Sequence, residues 1–82
     1  MDNLSGRLAR CFETVFPDLP ESEIQTASQQ SLSTWDSVAA ITLANVIEDE
    51  FAFQLDFEDL ADLDSFERIH TYLAERLPPN QN

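Results

Sequence analysis

The stretch STWDSVAAITL, residues 33 to 43, turns abruptly from polar loop to apolar run, and a helix must begin inside it. Asp36 is well placed to cap that helix, because its carboxylate can accept from backbone donors in the first turn and its charge suits the positive helix end. One cap suffices, so Ser37 is surplus. As the first helical residue it is expected to hold its hydroxyl in solvent, near a helix end that favours phosphate groups. The helix should run from about Ser37 to Phe51. Val38, Ile41, Ala44, Ile47 and Phe51 make one apolar stripe, and Leu43 and Val46 widen it. A helix apolar over so wide an arc touches more than one neighbour and is the central element.

Working outward, Leu4, Leu8, Phe12 and Val15 recur at helical spacing with Cys11 beside them, while Arg7 and Arg10 fall on other faces. Pro17 and Pro20 remove backbone donors and end this first helix. Residues 17–35 then form a long connection without clear periodicity, and such loops are usually functional or locally structured. Leu19, Ile24, Leu32 and Trp35 are expected to pin it to the bundle, with room for a helical turn near ESEIQTA. Beyond the central helix, Phe53, Leu55, Phe57, Leu60 and Leu63 are anchors, and a short helix is expected at about Phe57 to Ala61. The last helix takes Asp64 or Ser65 as its cap and Phe66, Ile69, Leu73 and Leu77 as its face. Pro78 and Pro79 stop it, and the tail at 78–82 is expected to fray. No run alternates long enough to demand a sheet. The reading is a single domain over 1–82, ordered from about 3 to 77: an all-α bundle of three main helices plus one short helix, with a long first loop.

Composition narrows the partners. The chain has 82 residues, enough for one domain, and its 43% hydrophobic share supplies a small core. Sixteen acids face four arginines and no lysine, for a formal net charge of −12. Fourteen of the acids lie between Arg10 and Arg68, where there is no cationic side chain at all. Such a surface repels nucleic-acid phosphates and anionic headgroups, so neither nucleic acid nor membrane is an expected partner. It attracts proteins with basic patches. The acids also keep a small domain monomeric and in solution. The lone cysteine, Cys11, excludes an internal disulfide and points to a reducing compartment. With no signal-peptide pattern or membrane-length apolar run, the cytoplasm is the expected location.

Catalytic machinery is not in view. His70 is the only histidine, and it lies on a different helix from Cys11, which sits on an apolar stripe as a small buried hydrophobe. DFEDLADLD is rich in carboxylates, but Leu60 and Ala61 interrupt the alternate oxygen ligands and the glycine turn that a calcium loop needs. The only glycine is Gly6, so there is no phosphate-cradling loop. The chain is not expected to be an enzyme.

With Asp36-Ser37-Val38 opening the second long helix of a small acidic bundle, the sequence resembles the acyl carrier protein family. That family's hallmark is Asp-Ser-Leu or a close variant at this point. Downstream, NVIEDEFAFQLDFEDLADLDSFERIHTYL is similar to the family's run of helix, acidic pair and Phe, short extended stretch, short third helix and fourth helix. The resemblance covers nearly the whole chain. It implies that Ser37 carries 4′-phosphopantetheine through a phosphodiester, donated by coenzyme A through a separate phosphopantetheinyl transferase. It further implies that Asp36 helps the transferase's magnesium ion and orients the serine. Val38 becomes an apolar docking contact, and Glu48 and Asp49 meet arginine and lysine of acyl-loading and acyl-processing partners. No metal is implied on the chain itself.

Two departures bear on partner choice. Thr34-Trp35 stands where the family often has glycine or alanine before the aspartate, so Trp35 is either a packing anchor or a partner contact. Ala39, Ala40 and Thr42 replace acids common in housekeeping members, and Asn45 replaces a family methionine. The pattern is closer to stand-alone carriers of specialised pathways, with fatty acyl, polyketide, hydroxyacyl and aminoacyl cargo all open. The rival reading is an acidic helical adaptor in which Ser37 is never modified.

Overall fold

The computed structural model describes residues 3–76, and within them the chain is helical throughout its regular structure. Three long helices, α1 (Asn3–Val15), α3 (Ser37–Phe51) and α5 (Phe66–Arg76), are joined by two single-turn helices, α2 (Glu21–Ile24) and α4 (Phe57–Leu60). The side chain of Phe57, the expected helix face at Leu77, the stop at Pro78 and Pro79 and the tail lie outside the described residues. The expected bundle of three main helices is present, and the first connection holds a further short helix in the segment where a turn had room to form. Pro20 precedes that helix, and Glu21 and Glu23 lie in its first turn, where negative charge suits the helix end.

Burial follows the α1 pattern closely. Leu4, Leu8, Cys11 and Phe12 are buried along one face, and Phe16 continues the line past the helix end. Phe12 is the hub: its ring lies 5.4 Å from Trp35 edge-on, 5.2 Å from Phe66 and 6.0 Å from Phe16. Aromatic pairs at these separations gain beyond their area burial. The α1–α3 seam is closed by Arg7, whose Nε donates to Glu50 Oε2 at 2.8 Å while its guanidinium lies 4.5 Å over the Phe51 ring.

The long connection is tied down by backbone bonds as well as side chains. Phe66 N–H donates to Ala27 carbonyl at 3.0 Å and Gln29 N–H to Asp64 carbonyl at 2.9 Å, around an antiparallel bridge between Ser28 and Ser65. Ile24, Ala27 and Trp35 are buried, and Leu19 and Leu32 pack at the core's edge. Ser65 is the cap of α5, its hydroxyl accepting from Arg68 N–H at 3.1 Å, while Asp64 pairs with the Arg68 side chain. This clamp delivers Trp35 into the core and leaves Asp36 and Ser37 outside it.

One expectation about α3 is corrected. Its buried line is Leu43, Ile47 and Phe51, and Val38 and Ile41 lie outside it, 73% and 44% exposed. At about 100° per residue the buried line and these two side chains fall on opposite sides of the helix. The helix is apolar on both sides, so the direction facing α1 was set by tertiary partners such as Arg7 with Glu50.

Candidate functional site

The N-terminus of α3 resolves the surplus hydroxyl. Asp36 is the cap, with Oδ1 accepting from Ala39 N–H at 2.9 Å and its carbonyl accepting from Ala40 N–H at 2.9 Å. Ser37 is the first helical residue, exposed, and its hydroxyl takes no part in the cap. The cap is therefore Asp36 alone, and Ser37 is not needed for it.

From Ser37 an exposed strip runs down α3. Val38, Ile41, Thr42, Asn45, Glu48 and Asp49 share the side of the helix turned from the core, by the same angular spacing. The upper part of the strip is apolar and carries no acid beyond Asp36; the lower part carries Glu48 and Asp49. Ile41 is the member that the sequence pattern hid, because it was assigned to the core stripe. Its signal was that it shares a side of α3 with Thr42, Asn45, Glu48 and Asp49, the polar residues of that helix.

The acids differ. Asp49 is exposed, whereas Glu48 is half-buried and its Oε2 accepts from Leu55 N–H at 2.8 Å. Its carbonyl also takes the N–H groups of Ala52 and Phe53 at the end of the helix, where Ala52 adopts a left-handed conformation with φ of 51°. Glu48 thus holds the segment after α3, and only Asp49 is a wholly solvent-facing charge. Trp35 is also corrected as a partner contact: it is 4% exposed, and Phe12 and Phe16 cover it. It is a packing anchor.

Behind the strip lies a narrow apolar crevice of about 10 Å³, lined by Trp35, Ala40, Leu43, Ala44, Ile47, Leu55, Leu60, Leu63 and Ile69. A cleft of about 40 Å³ at the surface shares Ala44, Leu55 and Leu60 with it and reaches Ile41, Asn45 and Glu48. The wider groove of about 500 Å³ runs along the first connection and is lined by no α3 residue. The wall opposite α3 is held by Asp59, which accepts from the Tyr72 hydroxyl at 3.0 Å and lies 3.8 Å from Arg76, itself stacked 3.7 Å over the Tyr72 ring. Burial, then the bond to Asp59, raises the Tyr72 phenol above its ordinary value.

The remaining reactive groups lie elsewhere. Cys11 is buried beside α3, and burial, aided by the Glu50 carboxylate, pushes its thiol from 9.0 to about 11. Such a thiol is a poor nucleophile at neutral pH. His70 is half-buried and stacks on Phe66 at 6.4 Å. Among the described residues no group of His, Cys, Asp and Glu gathers to hold a metal ion, and no helix is long and apolar enough to cross a membrane. Set against protein-family models, curated proteins and solved structures, the chain matches none.

Proposed function

We propose that this chain is a carrier of the acyl-carrier type, bearing 4′-phosphopantetheine on Ser37. The observation that carries this reading is the division of labour at the start of α3: Asp36 alone caps the helix, and an exposed serine hydroxyl with no structural task stands beside it. The alternation of long and short helices, and the extended segment between α3 and α4, are in keeping with the family layout that the sequence resembles.

The residues suit the group. A phosphodiester on Ser37 Oγ would stand at the positive end of a long helix, whose dipole favours an anion there. In the attachment, a bond forms between Ser37 Oγ and the phosphorus bearing the pantetheine of coenzyme A. The pyrophosphate bond breaks, the nucleotide half leaves, and the hydroxyl proton passes to a base on the transferase. Asp36, whose Oδ1 accepts from Ala39 N–H, would help hold the transferase's magnesium ion beside Ser37. Once bound, the arm supplies a thiol that holds acyl cargo as a thioester for partner enzymes.

Partners would approach along the exposed strip. Val38 and Ile41 give an apolar contact next to the arm, and Asp49, with the outer edge of Glu48, meets basic side chains. Relative to housekeeping carriers, the apolar share of that contact is larger, because the first turns of α3 hold no acid after Asp36. The test is intact mass after incubation with coenzyme A, magnesium and a broad-specificity transferase. One phosphopantetheine should be gained by the wild type and none by Ser37→Ala. A wild type left unmodified by several active transferases would favour the adaptor reading.

A further inference from the structure

We propose that Trp35 is a specificity residue of the interior crevice: its indole N–H donates to an oxygen within the cargo chain. The fold would then shelter β-oxo or β-hydroxy acyl groups in preference to saturated ones of equal length. This rests on the carrier reading above.

Trp35 is 4% exposed, and its Nε1 is buried with no acceptor in the protein. Buried donors are rarely left unmet, because the bond to water given up on folding is then not replaced. An indole only donates, so the group that completes it is an acceptor oxygen. Phe12 and Phe16 pack on the ring at 5.4 and 5.7 Å, and the ring also lines the crevice beside Ala40, Leu43, Ala44 and Ile69. All the other side chains of that lining are apolar. A saturated chain would match the walls and leave the donor unmet. A chain carrying an oxygen satisfies both.

Access is consistent with such a role. At about 10 Å³ the crevice holds one water at most, so a chain enters only when its walls separate. The small side chains of Ala40 and Ala44 recess the α3 wall, and Ala44, Leu55 and Leu60 divide the crevice from the surface cleft by Ile41. The opposite wall is a short element: α4 has four residues and no side-chain cap, and is held to α5 by the Asp59–Tyr72 bond.

The test loads the full chain at Ser37 with octanoyl, β-oxo-octanoyl or β-hydroxyoctanoyl phosphopantetheine, each confirmed by intact mass. Trp35 is the sole tryptophan, so an isotopically labelled chain gives one indole N–H signal to follow by NMR. That signal should move downfield with both oxygenated chains and stay in place with octanoyl. Cleavage of the thioester by hydroxylamine, normalised to the same acyl group on free pantetheine, should be about threefold to tenfold slower for the oxygenated chains, the span of one net hydrogen bond. Trp35→Phe, which keeps a ring and removes the donor, should erase the difference. One indole position for all three chains, or a preference that survives Trp35→Phe, would overturn the proposal. Should that variant fail to fold, the wild-type indole signal decides alone. A chain that accepts no arm would overturn the carrier reading and this inference together, whereas a normally loaded chain with a silent indole overturns this inference alone.

Discussion

Phe51 offers the strongest single perturbation of the core. It ends α3 at 2% exposure, in the seam with α1, under the Arg7 guanidinium. Truncating a buried phenylalanine to alanine costs about 3–5 kcal/mol when the surroundings cannot fill the hole. The cation–π contact with Arg7, about 0.5–1 kcal/mol at a partly exposed site, is contained in that figure. A domain of this length holds in total roughly 4–12 kcal/mol, at the usual stability per residue. Phe51→Ala should therefore lose from about a quarter of its stability to all of it. With a urea slope of about 1 kcal/mol/M for a small domain, the unfolding midpoint should fall by roughly 3 M or more, if the variant folds at all. The assay is urea unfolding followed by the fluorescence of Trp35, whose burial against Phe12 and Phe16 makes it a core reporter. Phe51→Leu keeps most of the apolar bulk and should lose less than about 1.5 kcal/mol. A Phe51→Ala midpoint within about 1 M of wild type would refute the assignment of this ring to the core.

Three further outcomes follow from the same coordinates. Asp36→Ala should lose about 1 kcal/mol with its cap, and Ser37→Ala should stay within about 0.5 kcal/mol of wild type; a larger loss at Ser37 in urea unfolding would reverse their roles. Because the Cys11 proton is held more tightly in the folded chain, its stabilisation is complete below the ordinary thiol value of 9.0 and is lost as pH rises through about 11; the Tyr72 phenol, raised from 10.0 by burial and then by its bond to Asp59, adds a loss of the same sign at alkaline pH. The melting temperature should fall across that window, less so in Cys11→Ala, and a flat profile would contradict the burial of both groups. Asp49→Lys should slow turnover by the loading enzyme and weaken its salt dependence, since exposed charges act mainly on encounter and are screened over about 8 Å at physiological ionic strength. Glu48→Lys is a poorer probe, because it also frees Leu55 N–H. An Asp49→Lys chain loaded as fast as wild type, with no salt dependence in either, would make this acidic end mere solvated surface.

How legible each element was depended on whether local chemistry or tertiary contact decided it. The bounds of α3 were readable because Asp36 is a strong cap and nothing in Ser37–Phe51 breaks a helix. The α1 face was readable because Leu4, Leu8 and Phe12 are apolar where their neighbours are polar. The outward side of α3 was not. Val38 and Ile41 are as apolar as Leu43 and Ile47, and they masked the outward side that Thr42, Asn45 and Asp49 mark. Glu48 shows the same limit: its composition says exposed acid, and only the chain's return after Ala52 brings Leu55 N–H to its carboxylate. Trp35 was only half legible: the sequence left packing anchor and partner contact both open, and burial against Phe12 and Phe16 decided between them. Its unmet donor was not legible, since that depends on what lies around it in three dimensions.

The central claim is that Ser37 is the attachment point because Asp36 leaves its hydroxyl free. Other hydroxyls lie close in sequence: Ser31, Ser33 and Thr34 precede it, and Thr42 follows with its Oγ1 donating to the Val38 carbonyl at 3.0 Å. The most direct measurement is peptide-level mass spectrometry of the chain after incubation with coenzyme A, magnesium and an active transferase, with fragmentation fine enough to separate Ser33, Thr34 and Ser37. A single phosphopantetheine on Ser37 is the predicted result. The same mass on Ser33, Thr34 or Thr42, or its retention when Ser37 is replaced by alanine, would contradict it.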